Sequence, residues 1–372
     1  MPGAYCRKAL SPIQGDIFAD NRIFLEKIET VPNFAAAKFN CKMTYTRLTI
    51  SIVLCFVLSL GTSHSQPPYN ADMMYAVEFL SSQTCGGRSS GTTGSFEAAV
   101  YIESIFENAR LTPLFKDGYA QPFTTKTAGG TAVCRNLAGI IRGNNHVKYE
   151  KPDIIIGAHY DHLGKLDGKI YPGADDNASG VAALGYLARQ FAMNRFLKDT
   201  ASRSVILVAF DAKEYSMAGS RAFVDSLLSQ EGIADPVSGE KISRDKIAFM
   251  ANIDQLGSIL EPIDPYHREY LMVLGSEALE EYDRTVLEVT GRYFIPDLGI
   301  GFDYYGSKKF SDLFLRLSDQ VNFIDNGIVS LMFTSGINKH TYKTSDTIAN
   351  IDRKALEMRA KYIYLFIERL TR

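Results

Sequence analysis

Short apolar runs alternate with stretches of helical spacing along residues 66–372 of the chain. Within the runs, apolar and polar residues do not alternate, which is typical of strands buried on both faces of a mainly parallel sheet. The runs predict strands over residues 153–158, 204–210, 246–253, 270–274 and 328–333. Helical spacing predicts helices over residues 71–80, 95–111, 178–193, 217–229, 276–291 and 353–370. The alternation predicts an α/β fold with a mainly parallel mixed sheet and helices on both faces.

A different pattern occupies the N-terminal part of the chain. Arg47 precedes an apolar run from Leu48 to Leu60, and Ser63 and Ser65 then resemble the small residues of a signal-peptidase site. The run is shorter than the roughly 20 apolar residues that a membrane-spanning helix needs. We therefore predict a signal peptide over residues 43–65, export to the periplasm or the medium, and no stable membrane span after cleavage. A membrane anchor is the alternative.

Residues 1–42 lie upstream of this predicted signal peptide, where they have no physical role. We interpret Met43 as the true start and residues 1–42 as a spurious extension from gene calling. Residues 66–372 then form a single α/β domain.

Composition and charge exclude several classes of protein. Hydrophobic residues make up 46% of the chain and charged residues 22%, which excludes a disordered chain. A net charge of −2 gives no electrostatic reason to expect a nucleic-acid partner. Cys85 and Cys134 are the two cysteines left after signal cleavage, and a disulfide and two buried free thiols are both open interpretations.

Imidazole and carboxylate side chains follow four of the predicted strands, at or soon after the point where each strand ends. In chain order they are His159, Asp161, Asp176, Glu214, Asp254 and His340. Because the carboxyl ends of parallel strands meet at one edge of a sheet, we expect these side chains to lie close together. Nitrogen and oxygen donors together suit zinc, and shared carboxylates suit two metal ions a few ångströms apart.

The segments around these residues resemble peptidase family 28, the zinc aminopeptidases that also include the glutaminyl cyclases. The motifs are GAHYDH (157–162), GADDNASG (173–180), KEYSMAGS (213–220), NIDQLGS (252–258) and SDTIANID (345–352). The resemblance implies a zinc exopeptidase-like three-layer sandwich that acts on peptide or protein N-termini. It also implies two zinc ions, although the departures described below leave one or none as alternatives.

The same resemblance implies a role for each matching residue. His159 would bind one zinc ion together with Asp254, and Asp161 would lie behind His159 and orient its imidazole. Asp176 would bridge the two ions, and Glu214 would bind the second. A metal-bound water would then attack the scissile carbonyl.

Two departures concern the general base and the substrate. The family has two consecutive glutamates, the first of which is the general base, whereas here Lys213 precedes Glu214. A protonated lysine cannot take a proton from water, although a buried lysine near cations could have a lowered pKa and act as the base. Ser318, Asp319 and Gln320 stand where the family often has Ser-Asp-His, which weakens inferences about substrate positioning.

The last metal ligand is the third departure. Counting back from Asp346, the histidine of the family falls on Tyr342, and His340 lies two residues earlier. In an extended segment these two residues face the same side, so His340 as a ligand and His340 as a surface residue both stay open. Tyr304 and Tyr305 are candidates for lining a substrate pocket, with simple packing as the alternative.

Three functions follow from these observations. The first is an exported zinc-dependent metallopeptidase that removes N-terminal residues, which the retained metal-ligand set favours. The second is a degenerate family member that binds a peptide or partner without cleavage, which Lys213 and Tyr342 favour. The third is a glutaminyl cyclase, although that chemistry also depends on a carboxylate at position 213.

The interpretation of the N-terminal part predicts the first residue of the native protein. We expect N-terminal sequencing of the protein from its own cells to find Gln66 at the start of the exported form. A native chain that begins before Met43 would contradict the interpretation.

Overall fold

The computed structural model describes residues 70–127, 129–143, 152–197, 203–259, 269–304 and 306–372. The predicted extension, the predicted signal peptide and Tyr305 lie outside these ranges. None of the helices within them is both long enough and apolar enough to cross a bilayer.

Nine strands form one mixed sheet. In chain order they are β1 (Thr112–Pro113), β2 (Ala120–Thr127), β3 (Gly130–Ile141), β4 (Asp153–His159), β7 (Val205–Phe210), β10 (Ile247–Ile253), β11 (Leu271–Leu274), β12 (Ile300–Gly301) and β13 (Ser330–Thr334). Two small hairpins lie outside it, namely β5 (Gly164–Leu166) with β6 (Lys169–Tyr171) and β8 (Ile233–Ala234) with β9 (Lys241–Ile242).

The middle of the sheet is parallel, and its margins are mostly antiparallel. The order is β1-β3-β7-β4-β10-β13-β11-β12, with β2 paired to β3. Strands β7, β4, β10 and β13 run parallel to one another. Strand β3 is antiparallel to β7, and β11 is antiparallel to β13. The carboxyl ends of the four parallel strands therefore open onto the same edge, where α/β sheets bind their ligands.

Helices cover both faces of this sheet. They are α1 (Asn70–Leu80), α2 (Thr93–Asn108), α3 (Gly180–Leu197), α4 (Ala218–Leu228), α5 (Glu281–Phe294), α6 (Lys308–Phe314), α7 (Gln320–Asp325) and α8 (Arg353–Thr371). Ile154 and Ile156 of β4 belong to the core cluster that includes residues of α1, α2, α3 and α8. Ile155 belongs to a second cluster with residues of α4 and α7. This alternation along one strand confirms the predicted three-layer α/β fold.

The structure adds a pair of strands that the sequence did not predict and corrects one predicted helix. The β2–β3 pair was not predicted, because β2 (AQPFTTKT) has exposed and partly buried positions instead of a continuous apolar run. The helix predicted over residues 276–291 is a 3₁₀ turn at Ser276–Ala278, after which α5 begins at Glu281. Cys85 and Cys134 are buried free thiols, which resolves the alternative that the sequence left open.

Candidate metal centre

Three buried side chains meet at the carboxyl edge of the sheet. His159 ends β4, Asp254 directly follows β10, and Asp176 lies in the loop that leads into α3. The His159 Nε2 atom lies 3.4 Å from Asp176 Oδ1 and 3.4 Å from Asp254 Oδ1. These three atoms and Asp176 Oδ2 have no hydrogen-bond partner among the described residues. Since an unpartnered buried polar atom costs about 1–3 kcal/mol, this donor set fits a cation such as zinc.

Protonation at this cluster follows from its charges. Burial lowers the pKa of His159, but the carboxylates of Asp254 and Asp161 outweigh it and raise this pKa well above 6.5. Burial also raises the pKa of Asp176, but the Lys213 ammonium and His159 outweigh that effect and bring it well below its usual range. The aspartate is therefore ionised at neutral pH, and a metal ion competes with a proton for the imidazole.

Asp346 and Asn177 position the loop that carries Asp176. The backbone N–H groups of Asp175 and Asp176 donate to the two carboxylate oxygens of Asp346, at 2.9 and 3.0 Å. The Asn177 side chain donates to the carbonyl of Ile253 at 2.9 Å, which ties the loop to the end of β10. The Asp176 carboxylate is thereby held over the strand ends.

Arg88 supports the same region. Its guanidinium is fully buried and donates to the carbonyls of Tyr160 at 2.8 Å, Pro172 at 2.6 Å and Gly173 at 2.8 Å. One side chain thus joins the segment after β4 to the beginning of the Asp176 loop. Arg88 could not be identified as a structural residue from the sequence, because a lone arginine in a Gly- and Ser-rich segment is usual in a solvated loop.

Asp161 positions both His159 and the turn after β7. The Nδ1 atom of His159 lies 3.1 Å from the backbone carbonyl of Asp161 and 3.7 Å from its carboxylate. The same carboxylate accepts the backbone N–H groups of Lys213 at 2.9 Å and Glu214 at 3.0 Å. Asp161 therefore lies behind the imidazole and also orients the two side chains that face the centre from β7.

The Lys213 side chain is buried at the centre. Its Nζ atom donates to Glu214 Oε1 at 3.1 Å and to the Tyr342 hydroxyl at 3.2 Å, and it lies 4.0 Å from Asp176 Oδ1. Burial lowers the pKa of Lys213, but the carboxylates of Asp176, Asp254 and Glu214 outweigh it and raise this pKa well above 10.5. This direction is opposite to the one that a lysine base would need.

The structure brings Tyr342, and not His340, next to Lys213 and Glu214. The Nδ1 atom of His340 lies 3.0 Å from Ser345 Oγ. Although 47% of the surface of Tyr342 is exposed, desolvation around its hydroxyl raises its pKa to about 12, so the hydroxyl is neutral at pH 7. Burial also raises the pKa of Glu214 to about 7, although the Lys213 ammonium opposes this shift. His159, Asp176 and Glu214 each offer a ligand atom within 4.8 Å of the others.

Tyr304 has a packing role in the structure. Its ring stacks on Phe314 with 3.9 Å between the ring centroids, and its hydroxyl accepts the backbone N–H of Ile337 at 3.0 Å. With 3% of its surface exposed, it belongs to a small core cluster. Gln320 accepts a hydrogen bond from Asn252 at 2.7 Å and so supports β10 two residues before Asp254.

A family comparison agrees with this fold. A model described as peptidase family M28 matches residues 136–367. The chain belongs to peptidase family M28. Aminopeptidase YwaD of Bacillus subtilis (strain 168) is 27% identical over 245 residues, which are 63% of this chain and 43% of that protein. The chain thus spans less than half the length of the curated relatives that it matches.

Two solved structures share the fold. BSAP, a zinc aminopeptidase from Bacillus subtilis, superposes with a TM-score of 0.56 at 16% identity, over 81% of this chain and 95% of that one. Porphyromonas gingivalis glutaminyl cyclase superposes with a TM-score of 0.56 at 16% identity, over 81% of this chain and 98% of that one. At such identities the likeness shows the fold alone.

Asp211, which directly follows β7, anchors the turn that carries Lys213. Its carboxylate accepts hydrogen bonds from Ser90 Oγ at 2.7 Å, from Tyr160 Oη at 3.0 Å and from the backbone N–H of Arg135 at 3.2 Å. Burial, together with the nearby charge of Asp161, raises the pKa of Asp211 to about 6. The folded chain therefore binds a proton at Asp211 more tightly than the unfolded chain does.

This shift predicts a pH dependence of stability. A pKa raised from 3.8 to about 6 corresponds to about 3 kcal/mol, which is fully present below about pH 4 and is lost as the pH rises through 6. Denaturant unfolding of the wild type and of Asp211→Asn between pH 4 and 7 measures it. The free energy of unfolding of the wild type should fall relative to the variant by that amount. Asp225→Asn, at an exposed position of α4, is the control, and a difference that stays constant with pH would contradict the assignment.

Proposed function

We propose that this chain is a zinc-dependent peptidase that removes residues from the N-termini of peptides. The observation that carries the proposal is the convergence of His159 Nε2 with Asp176 Oδ1 and Asp254 Oδ1, three buried atoms without hydrogen-bond partners in the described chain. Membership of peptidase family M28 and the similarity to an aminopeptidase support the same reaction class.

Each side chain at the centre has a distinct task in this proposal. His159, Asp176 and Asp254 would hold the zinc ion, which when bound polarises a peptide carbonyl and lowers the pKa of a coordinated water. Asp161 keeps the imidazole and the β7 turn in place through its contacts with both. The Lys213 ammonium adds a fixed positive charge 4.0 Å from Asp176 Oδ1.

Binding without cleavage is the second candidate function. The observation that favours it is Lys213, which stands at the position of the family's general base and whose pKa is raised instead of lowered. A positioned base typically contributes about 10²- to 10⁴-fold to the rate, so its loss could leave a peptide-binding protein with little turnover. Export remains a separate proposal that rests on residues 43–65.

The proposal predicts that the zinc-loaded full chain hydrolyses aminoacyl amidomethylcoumarins with a free α-amine and leaves their N-acetylated forms intact. We expect His159→Ala to abolish hydrolysis, because the zinc loses its only nitrogen ligand among the described residues that converge there. Asp161→Asn should lower kcat/KM by about 10- to 100-fold. His340→Ala is the matched control, because His340 contacts Ser345 and not the centre, and it should keep full activity.

Two results would reject the proposed reaction. Saturable binding of peptides in calorimetry, with no hydrolysis of any substrate in the panel, would favour the binding protein. Conversion of glutaminyl peptides to pyroglutamyl peptides would favour the cyclase.

A further inference from the structure

The ammonium of Lys213 lies on the Glu214 side of the centre. Its Nζ atom lies 3.1 Å from Glu214 Oε1, 3.2 Å from the Tyr342 hydroxyl and 4.0 Å from Asp176 Oδ1. By the family resemblance, the second metal ion would be surrounded by the bridging Asp176, by Glu214 and by the residue at position 342. A positively charged atom of the chain itself therefore stands among the groups that would surround that ion.

The charges of the centre agree with this placement. The resemblance implies a glutamate at position 213, and a lysine there changes the formal charge by two units, which is the charge of one divalent ion. Three carboxylates, of Asp176, Glu214 and Asp254, then face one ammonium and have charge left for one divalent cation. A second divalent ion would leave the buried centre with excess positive charge at short range, which is costly where water is largely excluded.

Local packing keeps the ammonium where it is. The backbone N–H of Lys213 donates to Asp161 Oδ1 at 2.9 Å, which fixes the start of the side chain. The side chain is 6% exposed, so moving Nζ out of the centre would break both of its hydrogen bonds. A tyrosine hydroxyl, which at position 342 accepts one of them, is a poorer zinc ligand than an imidazole.

The unpartnered ligand atoms belong to the His159 side of the centre and to Asp176. His159 Nε2 and Asp254 Oδ1, which lie 3.4 Å apart, have no hydrogen-bond partner in the described chain, whereas the Glu214 carboxylate is already paired with Lys213. The His159 side thus lacks hydrogen-bond partners and fits a metal ion. The Glu214 side already contains a cation, the Lys213 ammonium.

We propose that the Lys213 ammonium takes the place of the second metal ion and that the centre binds a single zinc ion on the His159 side. This inference rests on the zinc binding in the proposed function, but it concerns the number of ions and not the reaction. In a one-zinc centre, Glu214 pairs with an ammonium and is not a metal ligand.

Metal stoichiometry tests the proposal directly. The full chain is loaded with excess zinc at pH 7.5, desalted and measured by elemental and native mass spectrometry. We expect one zinc ion per chain for the wild type and for Lys213→Arg, which keeps the charge. Lys213→Met and Lys213→Glu remove the ammonium and should bind two. Lys354→Met, at an exposed lysine that pairs with Glu269, is the matched control and should bind one.

Other zinc counts would overturn the proposal. Two zinc ions in the wild type, or one in both Lys213→Met and Lys213→Glu when circular dichroism shows them to be folded, would mean that the ammonium does not exclude the second ion. No zinc in the wild type would overturn the proposed function as well. One zinc ion per wild-type chain without hydrolysis would reject only the proposed peptidase function. Two zinc ions per wild-type chain with hydrolysis would reject only the inference of a single-zinc centre.

A spectroscopic measurement on the wild type does not depend on the folding of the variants. Manganese loaded to saturation should give the electron paramagnetic resonance spectrum of isolated ions. Two manganese ions a few ångströms apart would be magnetically coupled, and a coupled spectrum would overturn the proposal.

Discussion

Asp176, Asp254 and Glu214 bring three carboxylates together at the carboxyl edge of the sheet, and each needs positive charge close by because little water reaches them. The chain supplies one such charge itself, as the Lys213 ammonium, which contacts Glu214 and lies near Asp176. Positive charge is still needed at His159 and Asp254, where the imidazole nitrogen and a carboxylate oxygen face each other without a hydrogen-bond partner in the described chain. A single divalent cation would provide both atoms with a partner and would supply the missing positive charge.

The surrounding fold serves to hold these charges in place. Parallel strands β4 and β10 present His159 and Asp254 at one edge, and the end of β7 leads to Lys213. Asp346 holds the loop of Asp176 through two backbone N–H groups. Most of these contacts do not reach the position of the cation, but each fixes the position of a ligand atom. The geometry of the centre therefore depends on the residues that surround the ligands.

Much of the fold could be predicted from the sequence, because interior strands such as DIIIGA and SVILVAF are continuously apolar and end at titratable residues. Strand β2 was not predictable in this way, since its polar residues face solvent near the margin of the sheet. The family resemblance implied a glutamate at position 213, so Lys213 was noticeable in the sequence beside Glu214. The position of its ammonium could not be predicted, because a flexible four-carbon side chain can reach many places. Only the packed structure shows its hydrogen-bond partners.

The position of metal in the zinc-loaded protein tests the central claim most directly. Crystals of the zinc-loaded wild type, measured on both sides of the zinc absorption edge, would locate every zinc ion by its anomalous scattering. The account predicts one peak between His159 and Asp254, with Lys213 Nζ still in contact with Glu214. A second peak at the place of Nζ, with the lysine side chain turned away, would contradict it.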